Sequence, residues 1–254
     1  MGFSASDIAD ILRAASRTPL KSGFTSAIIV AAGSGTRMGD IGVTKQMIPV
    51  AGIPVAARSL IAFQNCPDID EIIVAARKEE TDTYSVFREK YGISKLSCAV
   101  VGGDTRQESV FLAFRKVSEN SEYVAIHDAA RCCITPDQIS EVVRSAYRTG
   151  ASAAACRSYD TVKTADRRGY VTGTLDRDEI WLISTPQVVK TSLYRACAYY
   201  SREKGIRATD DCGLLEACGY RMKLCDIGRT NIKITEKSDI LLAESIIERQ
   251  KESE

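Results

Sequence analysis

From residue 26 onward, short apolar segments alternate with segments of helical periodicity. The apolar segments include SAIIVAAG, DEIIVAAR, SCAVVGG and ASAAACR, which begin at residues 26, 70, 97 and 151. Because they are apolar along their whole length, they are typical of strands buried on both faces of a sheet. Strands that each precede a helix predict a mostly parallel sheet with helices on both sides. The sequence therefore predicts a doubly wound α/β sandwich that binds its ligand at the carboxyl ends of the strands.

One segment, residues 157–180, interrupts this alternation. Residues Thr161 to Thr164 alternate in character, a turn is predicted at Asp166 to Gly169, and the chain returns through Tyr170 to Thr172. This pattern predicts a β-hairpin. A lone hairpin is only marginally stable in water, so we expect this arm to pack on another subunit.

Residues 1–24 are interpreted as an N-terminal helical extension, and residues 25–254 as a single domain that includes the arm. The apolar residues of the extension follow the spacing of one helical face: Ile8, Ile11, Leu12 and Ala15. We expect this helix to pack on the domain surface. The sequence contains neither an apolar signal-peptide core nor an apolar run of transmembrane length.

Composition limits the chemistry that this chain can perform. With 34 Lys and Arg residues against 33 Asp and Glu, the formal net charge is +1, which favours neither nucleic acid nor an anionic membrane as partner. The single histidine, His127, excludes HExxH zinc sites and any site that uses two histidines. The nine cysteines contain no CxxC pair and favour reduced thiols in a cytoplasmic protein.

The loop after the first strand, AAGSGTRMGD, predicts an anion site. It matches neither phosphate-binding motif: Met38 stands where the dinucleotide fingerprint has its third glycine, and no Walker A loop occurs. Small residues let backbone amides approach a ligand closely at Ala31, Ala32 and Gly33. Arg37 and Lys45 add two cations that suit a polyphosphate. A structural turn with solvated Arg and Lys is the alternative.

A second glycine pair, Gly102 and Gly103, follows the strand SCAVV and precedes a helix. Two glycines allow the backbone to lie against a flat base, and Ser109 can add a hydroxyl contact. The alternative is an ordinary strand-to-helix turn in which Asp104 caps the helix.

Two charged residues are predicted near the same crevice. Asp128 ends the strand before AAR, where an aspartate can bind ribose hydroxyls or a magnesium ion. Its neighbour His127 points to the opposite face and is interpreted as a packed core residue. Lys233 lies in NIKIT, which predicts a short strand before a final helix capped by Thr235. A lysine that reaches solvent from a sheet edge is the alternative for Lys233.

Nine motifs occur in an order and spacing that resemble the 2-C-methyl-D-erythritol 4-phosphate cytidylyltransferases of the non-mevalonate isoprenoid pathway. They are AAGSGTRMG, Lys45-Gln46, GGDTRQESV, HDAAR, DTVK, the DR of TLDRDEIW, TPQ, ATDD and NIKIT. The resemblance implies a Rossmann-like nucleotidyltransferase sandwich with a protruding β-arm that forms a homodimer. The chain departs from the family pattern at Thr44, Met47 and Cys132, none of which is a charged catalytic position.

The resemblance implies transfer of a cytidylyl group from CTP to 2-C-methyl-D-erythritol 4-phosphate, which gives 4-diphosphocytidyl-2-C-methyl-D-erythritol and pyrophosphate. The attacking phosphate is already ionised, so no general base is needed, and positioning and electrostatics carry the rate. Mg²⁺ or another divalent cation is expected mainly on the phosphates, with no protein metal ligand assigned. The expected partners are small-molecule substrates and a second copy of the chain.

The resemblance divides the site residues into three groups. The catalytic cations are Arg37, Lys45 and Lys233. The nucleotide is held by Ala31, Ala32, Gly33, Gly103, Asp104, Ser109, Asp128 and Ala129. The acceptor is contacted by Arg131, Thr161, Arg177, Thr185 and Thr209. Because Thr161 and Arg177 lie on the arm, they are expected to reach the partner subunit's site, so that each active site is shared across the dimer.

Two other functions remain alternatives. A ribitol-5-phosphate cytidylyltransferase has the same fold and glycine-rich start, although DTVK and the DR of TLDRDEIW favour the erythritol substrate. A non-catalytic nucleotide or sugar-phosphate sensor would have less use for Arg37, Lys45 and Lys233. The missing fingerprint glycine disfavours an NAD-dependent dehydrogenase.

Overall fold

The computed structural model describes residues 23–33 and 44–252. Within these ranges the strands are β1 (Thr25–Val30), β2 (Pro49–Val50), β3 (Ile53–Pro54), β4 (Glu71–Ala76), β5 (Leu96–Val101), β6 (Tyr123–Asp128), β7 (Ala151–Arg157), β8 (Lys163–Ala165), β9 (Val171–Thr174), β10 (Trp181–Lys190) and β11 (Lys223–Asp226). The α-helices are α1 (Val55–Asn65), α2 (Thr81–Lys90), α3 (Arg106–Phe114), α4 (Pro136–Thr149), α5 (Thr191–Lys204), α6 (Asp211–Glu216) and α7 (Ser238–Glu252).

The central sheet has the strand order β11-β7-β10-β6-β1-β4-β5 among the described residues. All neighbouring strands are parallel except β10, which runs antiparallel between β6 and β7. The predicted mostly parallel α/β sheet is therefore confirmed. In the register of β1 and β6, Val30 pairs with Asp128. The loop after β1 and the Asp128 side chain consequently meet at the same edge of the sheet.

Successive residues of β1 belong to two different cores, which accounts for its continuous apolar sequence. Ile29 packs in a core that includes Phe63 of α1 and Val142 of α4. Ile28 packs in a second core, with Val110 of α3 and Leu193 of α5. Side chains alternate across a strand, so both faces of the sheet are covered by helices.

A third apolar cluster holds the chain segment around Lys233. Ile234 is fully buried in this cluster, with Ile48, Val55 and residues of α7. The predicted strand at NIKIT is wrong: residues 231–235 form no strand. The Ile234 amide donates a hydrogen bond to the carbonyl of Ala130, but no ladder of backbone pairs extends from it, because apolar packing rather than sheet pairing holds this segment.

The start of the final helix also differs from the prediction. Thr235 does not cap α7, which begins at Ser238. Instead, the Asp239 carboxylate accepts hydrogen bonds from the backbone amides of Thr235 and Glu236, at 2.7 and 2.8 Å. A carboxylate accepts amide hydrogen bonds more strongly than a neutral hydroxyl, so the acid takes this role.

The predicted hairpin is confirmed, since β8 and β9 pair antiparallel. Its turn is closed by a hydrogen bond from the Asp166 amide to the Tyr170 carbonyl, and Gly169 has a φ of +86°. The predicted N-terminal helix falls on residues outside the described ranges, apart from the last residues before β1. Among the described residues, no helix combines the length and apolar character that a membrane span requires.

Candidate active site

A cleft of about 400 Å³ opens at the carboxyl ends of β1 and β6. Its volume falls in the usual range for small-molecule sites. Its lining brings together eight of the predicted site residues: Ala32, Gly33, Lys45, Gly103, Asp104, Ser109, Asp128 and Lys233. The carboxyl-edge location follows from the parallel pairing of β1 with β6.

One wall of the cleft is bare backbone because Gly102 packs tightly beneath it. A methyl group at Gly102 would lie 2.5 Å from Cβ of Ala32 and 2.8 Å from Oγ of Ser109. Ser109 Oγ accepts a hydrogen bond from the Gly103 amide at 3.1 Å and so ties α3 to this wall. The helix cap is Thr105, whose hydroxyl accepts from the Glu108 amide, and not Asp104. Asp104 is thereby left to line the cleft.

Ala31 and Ala129 lie under the cleft rather than in its lining. Both are fully buried. Their amides already donate to sheet neighbours: Ala31 to the carbonyl of Ala75 at 2.7 Å, and Ala129 to that of Val30 at 3.0 Å. These two residues support the neighbouring Ala32 and Ala130, which do line the cleft.

Lys45 and Gln46 enter the cleft from a short 3₁₀ helix, Lys45–Met47. Lys45 Nζ donates to the carbonyl of Ile234 at 3.4 Å. Gln46 is 2% exposed, and its Nε2 donates to the carbonyl of Gly33 at 3.1 Å. The side-chain amide of Gln46 therefore links the two ends of the segment formed by residues 34–45. The third predicted cation, Arg37, belongs to that segment and lies outside the described residues.

Asp128 is held between two cations at the base of the cleft. Lys233 Nζ lies 2.6 Å from Asp128 Oδ2, and Arg106 Nε lies 3.0 Å from Oδ1. Burial alone would raise the pKa of Asp128, but Arg106 and Lys233 outweigh it and hold that pKa well below its usual range. Asp128 is therefore an ionised carboxylate near pH 7.

Arg106 was missed as a functional residue, although it lies within the quoted motif GGDTRQESV. Its Nη1 also contacts Asp211 Oδ2, at 2.8 Å, across 105 positions of sequence. Burial works against the charge on Arg106, but Asp211 and Asp128 raise its pKa above the usual value. The signal available in the sequence was an arginine in the first turn of the helix that follows the glycine pair.

His127 is a core residue, as the sequence predicts. It is fully buried and its ring lies 4.9 Å from that of Phe63. Nδ1 lies 3.1 Å from Thr185 Oγ1, and Nε2 lies 3.2 Å from the carbonyl of Arg131. Burial lowers the pKa of His127 to about 3, so the ring is neutral near pH 7 and is not placed for acid–base chemistry in the cleft.

Two of the predicted acceptor residues lie behind Asp128. Thr185 Oγ1 accepts a hydrogen bond from the Asp128 amide at 3.0 Å. Arg131 Nη1 donates to the carbonyl of Asn231 at 2.9 Å, and Asn231 Nδ2 donates to the carbonyl of Thr185 at 2.7 Å. Asn231 was not predicted; it is buried two positions before Lys233.

The other three predicted acceptor residues are exposed and lie outside the cleft of this protomer. Thr161 and Arg177 belong to the arm region, and Thr209 precedes α6. The cleft lining described above contains none of the three. The fold of one chain therefore does not gather them around Asp128 and Lys233.

Comparisons with known proteins point in one direction. A protein-family model described as 2-C-methyl-D-erythritol 4-phosphate cytidylyltransferase matches residues 25–249. The enzyme of that name from Desulforamulus reducens is 38% identical over 225 residues, which cover 88% of this chain and 96% of the relative. The one from Caldanaerobacter subterraneus subsp. tengcongensis is also 38% identical over 225 residues, which cover 88% of this chain and 99% of the relative.

Solved structures agree with these sequence matches. The crystal structure of 4-diphosphocytidyl-2C-methyl-D-erythritol synthase from Anaerococcus prevotii superimposes with a TM-score of 0.79 and 32% identity, and the match covers 89% of this chain and 96% of that one. The 2-C-methyl-D-erythritol 4-phosphate cytidylyltransferase of Francisella tularensis superimposes with a TM-score of 0.73 and 28% identity, over 88% of this chain and 99% of that one.

Proposed function

This chain belongs to the 2-C-methyl-D-erythritol 4-phosphate cytidylyltransferase family, and we propose how its cleft carries out the family reaction. The enzyme transfers a cytidylyl group from CTP to 2-C-methyl-D-erythritol 4-phosphate, and pyrophosphate leaves. The family match over residues 25–249 carries this assignment. It favours the erythritol substrate over ribitol 5-phosphate, and an enzyme over a sensor.

We assign the glycine-lined wall of the cleft to the cytidine. The backbone at Gly33 and Gly103 offers a flat surface, and Ala32 and Ser109 border it. The close packing beneath Gly102 supports this assignment, because a side chain there would displace the wall. Asp104 and Asp128 are the carboxylates that line the cleft, and a carboxylate is suited to ribose hydroxyls. Ala31 and Ala129 lie buried beneath the cleft and support the neighbouring Ala32 and Ala130.

We assign the phosphates to the cationic side of the cleft. The attacking phosphate is already ionised, so no side chain has to remove a proton from it, and the neutral, buried His127 is not required. Lys45 and Lys233 both line the cleft and offer positive charge to the reacting phosphorus, and Arg37 is proposed as the third cation. Such preorganised charge stabilises a transition state whose negative charge is spread over phosphate oxygens. Binding both substrates in one cleft supplies the remaining gain through orientation.

A divalent cation fits this cleft as a companion of the phosphates. Among the described residues, no cluster of three or more His, Cys, Asp or Glu side chains could enclose a metal ion. Mg²⁺ usually keeps several waters and binds substrate phosphates. Both oxygens of Asp128 already contact Arg106 and Lys233, so the phosphates would supply the main ligands of the ion. When bound, the ion would neutralise charge on the phosphate oxygens. We therefore propose Mg²⁺, or another divalent cation, as the cofactor.

The test of this function is pyrophosphate release with CTP and a panel of acceptors: methylerythritol, erythritol and ribitol phosphates. We expect the highest kcat/KM with 2-C-methyl-D-erythritol 4-phosphate, and loss of activity when EDTA removes divalent cations. A higher kcat/KM with ribitol 5-phosphate would reassign the substrate. CTP binding without pyrophosphate release from any acceptor would indicate a sensor.

We propose a homodimer in which the arm completes the partner subunit's site. The arm exposes apolar side chains, with Tyr170 71% and Val171 64% accessible in the single chain. Arg177 and Thr161 are exposed and lie away from their own cleft, which suits residues that act in another subunit. Arg131, Thr185 and Thr209 are proposed as the remaining acceptor contacts.

Mixing two inactive variants tests this sharing. The Arg177→Ala chain keeps an intact cleft but lacks the arm residue. The Lys45→Ala chain keeps an intact arm but has an inactive cleft. After subunit exchange, roughly a quarter of the wild-type activity is expected, because half of the dimers are hybrids and each hybrid has one intact site. If exchange is confirmed by mass spectrometry and activity does not return, each subunit contains its own complete site.

We propose that the enzyme is cytoplasmic. All nine cysteines are free thiols. Thiols in this number persist in a reducing compartment, whereas secreted proteins tend to pair them.

A further inference from the structure

Arg106 connects the cleft to helix α6, and this connection gives a role to a residue outside the cleft. We propose that Asp211 is a positioning residue for cytidylyl transfer. Through Arg106 it holds Asp128 in the orientation that leaves Lys233 able to bind the reacting phosphate. The inference rests on the proposed function and concerns a side chain that does not line the cleft.

Four charged side chains form one line from the interior to the cleft, with alternating signs. The contacts are 2.8 Å from Asp211 to Arg106, 3.0 Å from Arg106 to Asp128, and 2.6 Å from Asp128 to Lys233. Side-chain exposure is 4% at Asp211 and 35% at Lys233. Asp211 is therefore the buried end of the line, and Lys233 is the end that a ligand can reach.

Asp211 fixes the orientation of the Arg106 guanidinium. Arg106 uses Nε for Asp128 and Nη1 for Asp211, so the two carboxylates together define the plane of the group. Its third nitrogen, Nη2, is buried and makes no hydrogen bond to the described residues. Without Asp211, nothing would prevent the guanidinium from turning to contact both oxygens of Asp128, which is its preferred geometry with a carboxylate.

Asp211 can serve as a fixed point because its neighbours anchor it to the sheet. Asp210 caps α6 by accepting from the Gly213 amide at 2.9 Å, and also accepts from Gln187 Nε2 at 2.9 Å. Gln187 lies on β10, and its Oε1 accepts from the Cys212 amide at 2.9 Å. Both neighbours of Asp211 are thus hydrogen-bonded to Gln187 of the central sheet, Asp210 through its carboxylate and Cys212 through its backbone amide.

The consequence for the reaction lies in how Lys233 divides its protons. An ammonium group has three N–H donors, and one of them is directed at Asp128 Oδ2. While Arg106 contacts Oδ1, Asp128 accepts one hydrogen bond from Lys233, through Oδ2. The other N–H donors of Lys233 then remain for a phosphate oxygen. If Arg106 turns to contact both oxygens of Asp128, Lys233 has to share Oδ2 with the guanidinium, and its position at the phosphorus shifts.

Asp211→Asn tests the proposal because it keeps the shape of the side chain and removes its charge. We expect kcat for pyrophosphate release to fall by about 10-fold, with KM for CTP within about twofold of wild type. The matched control is Glu216→Gln, which removes a carboxylate charge from an exposed position of the same helix. Glu216 is not one of the carboxylates that Arg106 contacts, so this variant should keep the wild-type kcat. In a Lys233→Ala background, Asp211→Asn should change kcat by less than about twofold, because both changes act on one network.

Two outcomes would overturn the proposal. One is a wild-type kcat in a folded Asp211→Asn variant, and the other is that Asp211→Asn lowers kcat by the same factor in the wild-type enzyme and in the Lys233→Ala background. If Asp211→Asn does not fold, Arg106→Lys decides, because a single ammonium keeps the charge but lacks the fork that spans both carboxylates. Wild-type kcat in Arg106→Lys would then reject the positioning role. Failure of the wild-type enzyme to release pyrophosphate from CTP is a separate result, which would reject the proposed function instead.

Discussion

Replacing Lys45 with alanine is expected to lower kcat for pyrophosphate release by about 100-fold or more, since one preorganised charge at a transition state commonly contributes that much. Lys45 lines the cleft, and its Nζ donates to the carbonyl of Ile234 at 3.4 Å. Steady-state rates with CTP and 2-C-methyl-D-erythritol 4-phosphate, together with thermal unfolding midpoints, provide the measurement.

Lys95 offers a matched control for this experiment. It also donates from Nζ to a backbone carbonyl, that of Cys66 at 2.7 Å, but it precedes β5 and lies outside the cleft lining. Lys95→Ala should keep the wild-type kcat. If the folded Lys45→Ala variant also keeps it, Lys45 is not part of the catalytic machinery.

Replacing Lys233 with alanine should lower kcat by a similar factor, about 100-fold or more, for the same electrostatic reason. This change differs from the first because Lys233 is paired with Asp128 at 2.6 Å. Its removal leaves the Asp128 carboxylate paired with Arg106. A loss of rate could then come from the missing ammonium or from unbalanced negative charge that repels the incoming phosphate.

The charge-balanced double variant Lys233→Ala/Asp128→Asn separates these two causes. It removes one positive and one negative charge, so the net charge of the cleft is unchanged. We expect kcat to stay at least about 100-fold below wild type, because the amide cannot offer a cation to the phosphorus. Recovery of kcat to near the wild-type value would mean that Lys233 serves only to neutralise Asp128.

Much of the fold could be predicted because it depends on local patterns. Continuous apolar residues predict the strands β1, β4, β5, β6 and β7, and the two cores around Ile28 and Ile29 explain why both faces of β1 are apolar. Strands β10 and β11, which complete the central sheet, were not predicted from the sequence. The hairpin was identified from its turn and its alternating residues. The strand predicted at NIKIT was wrong because apolar β-branched residues also suit a buried irregular segment, and a strand needs a pairing partner that composition does not reveal.

The site, like the fold, has features that local sequence predicts and features that only the tertiary structure determines. Glycines, lysines and Asp128 could be assigned to one crevice from their places after successive strands, and the cleft does gather eight of the predicted residues. The exposure of Thr161 and Arg177 away from the cleft could not be foreseen from one chain's motifs alone, since it depends on where the arm projects. The position of Thr209 depends instead on how the segment before α6 packs.

Residue chemistry and spacing along the chain were sufficient to predict a mostly parallel α/β sandwich with a cleft lined by glycines, lysines and Asp128. They could not specify which charges pair. Arg106 and Asp211 are 105 positions apart, and only the tertiary structure brings their side chains to 2.8 Å. Ion pairs of this kind depend on distances across the folded core, and these are set by how helices and sheet pack together rather than by any local pattern.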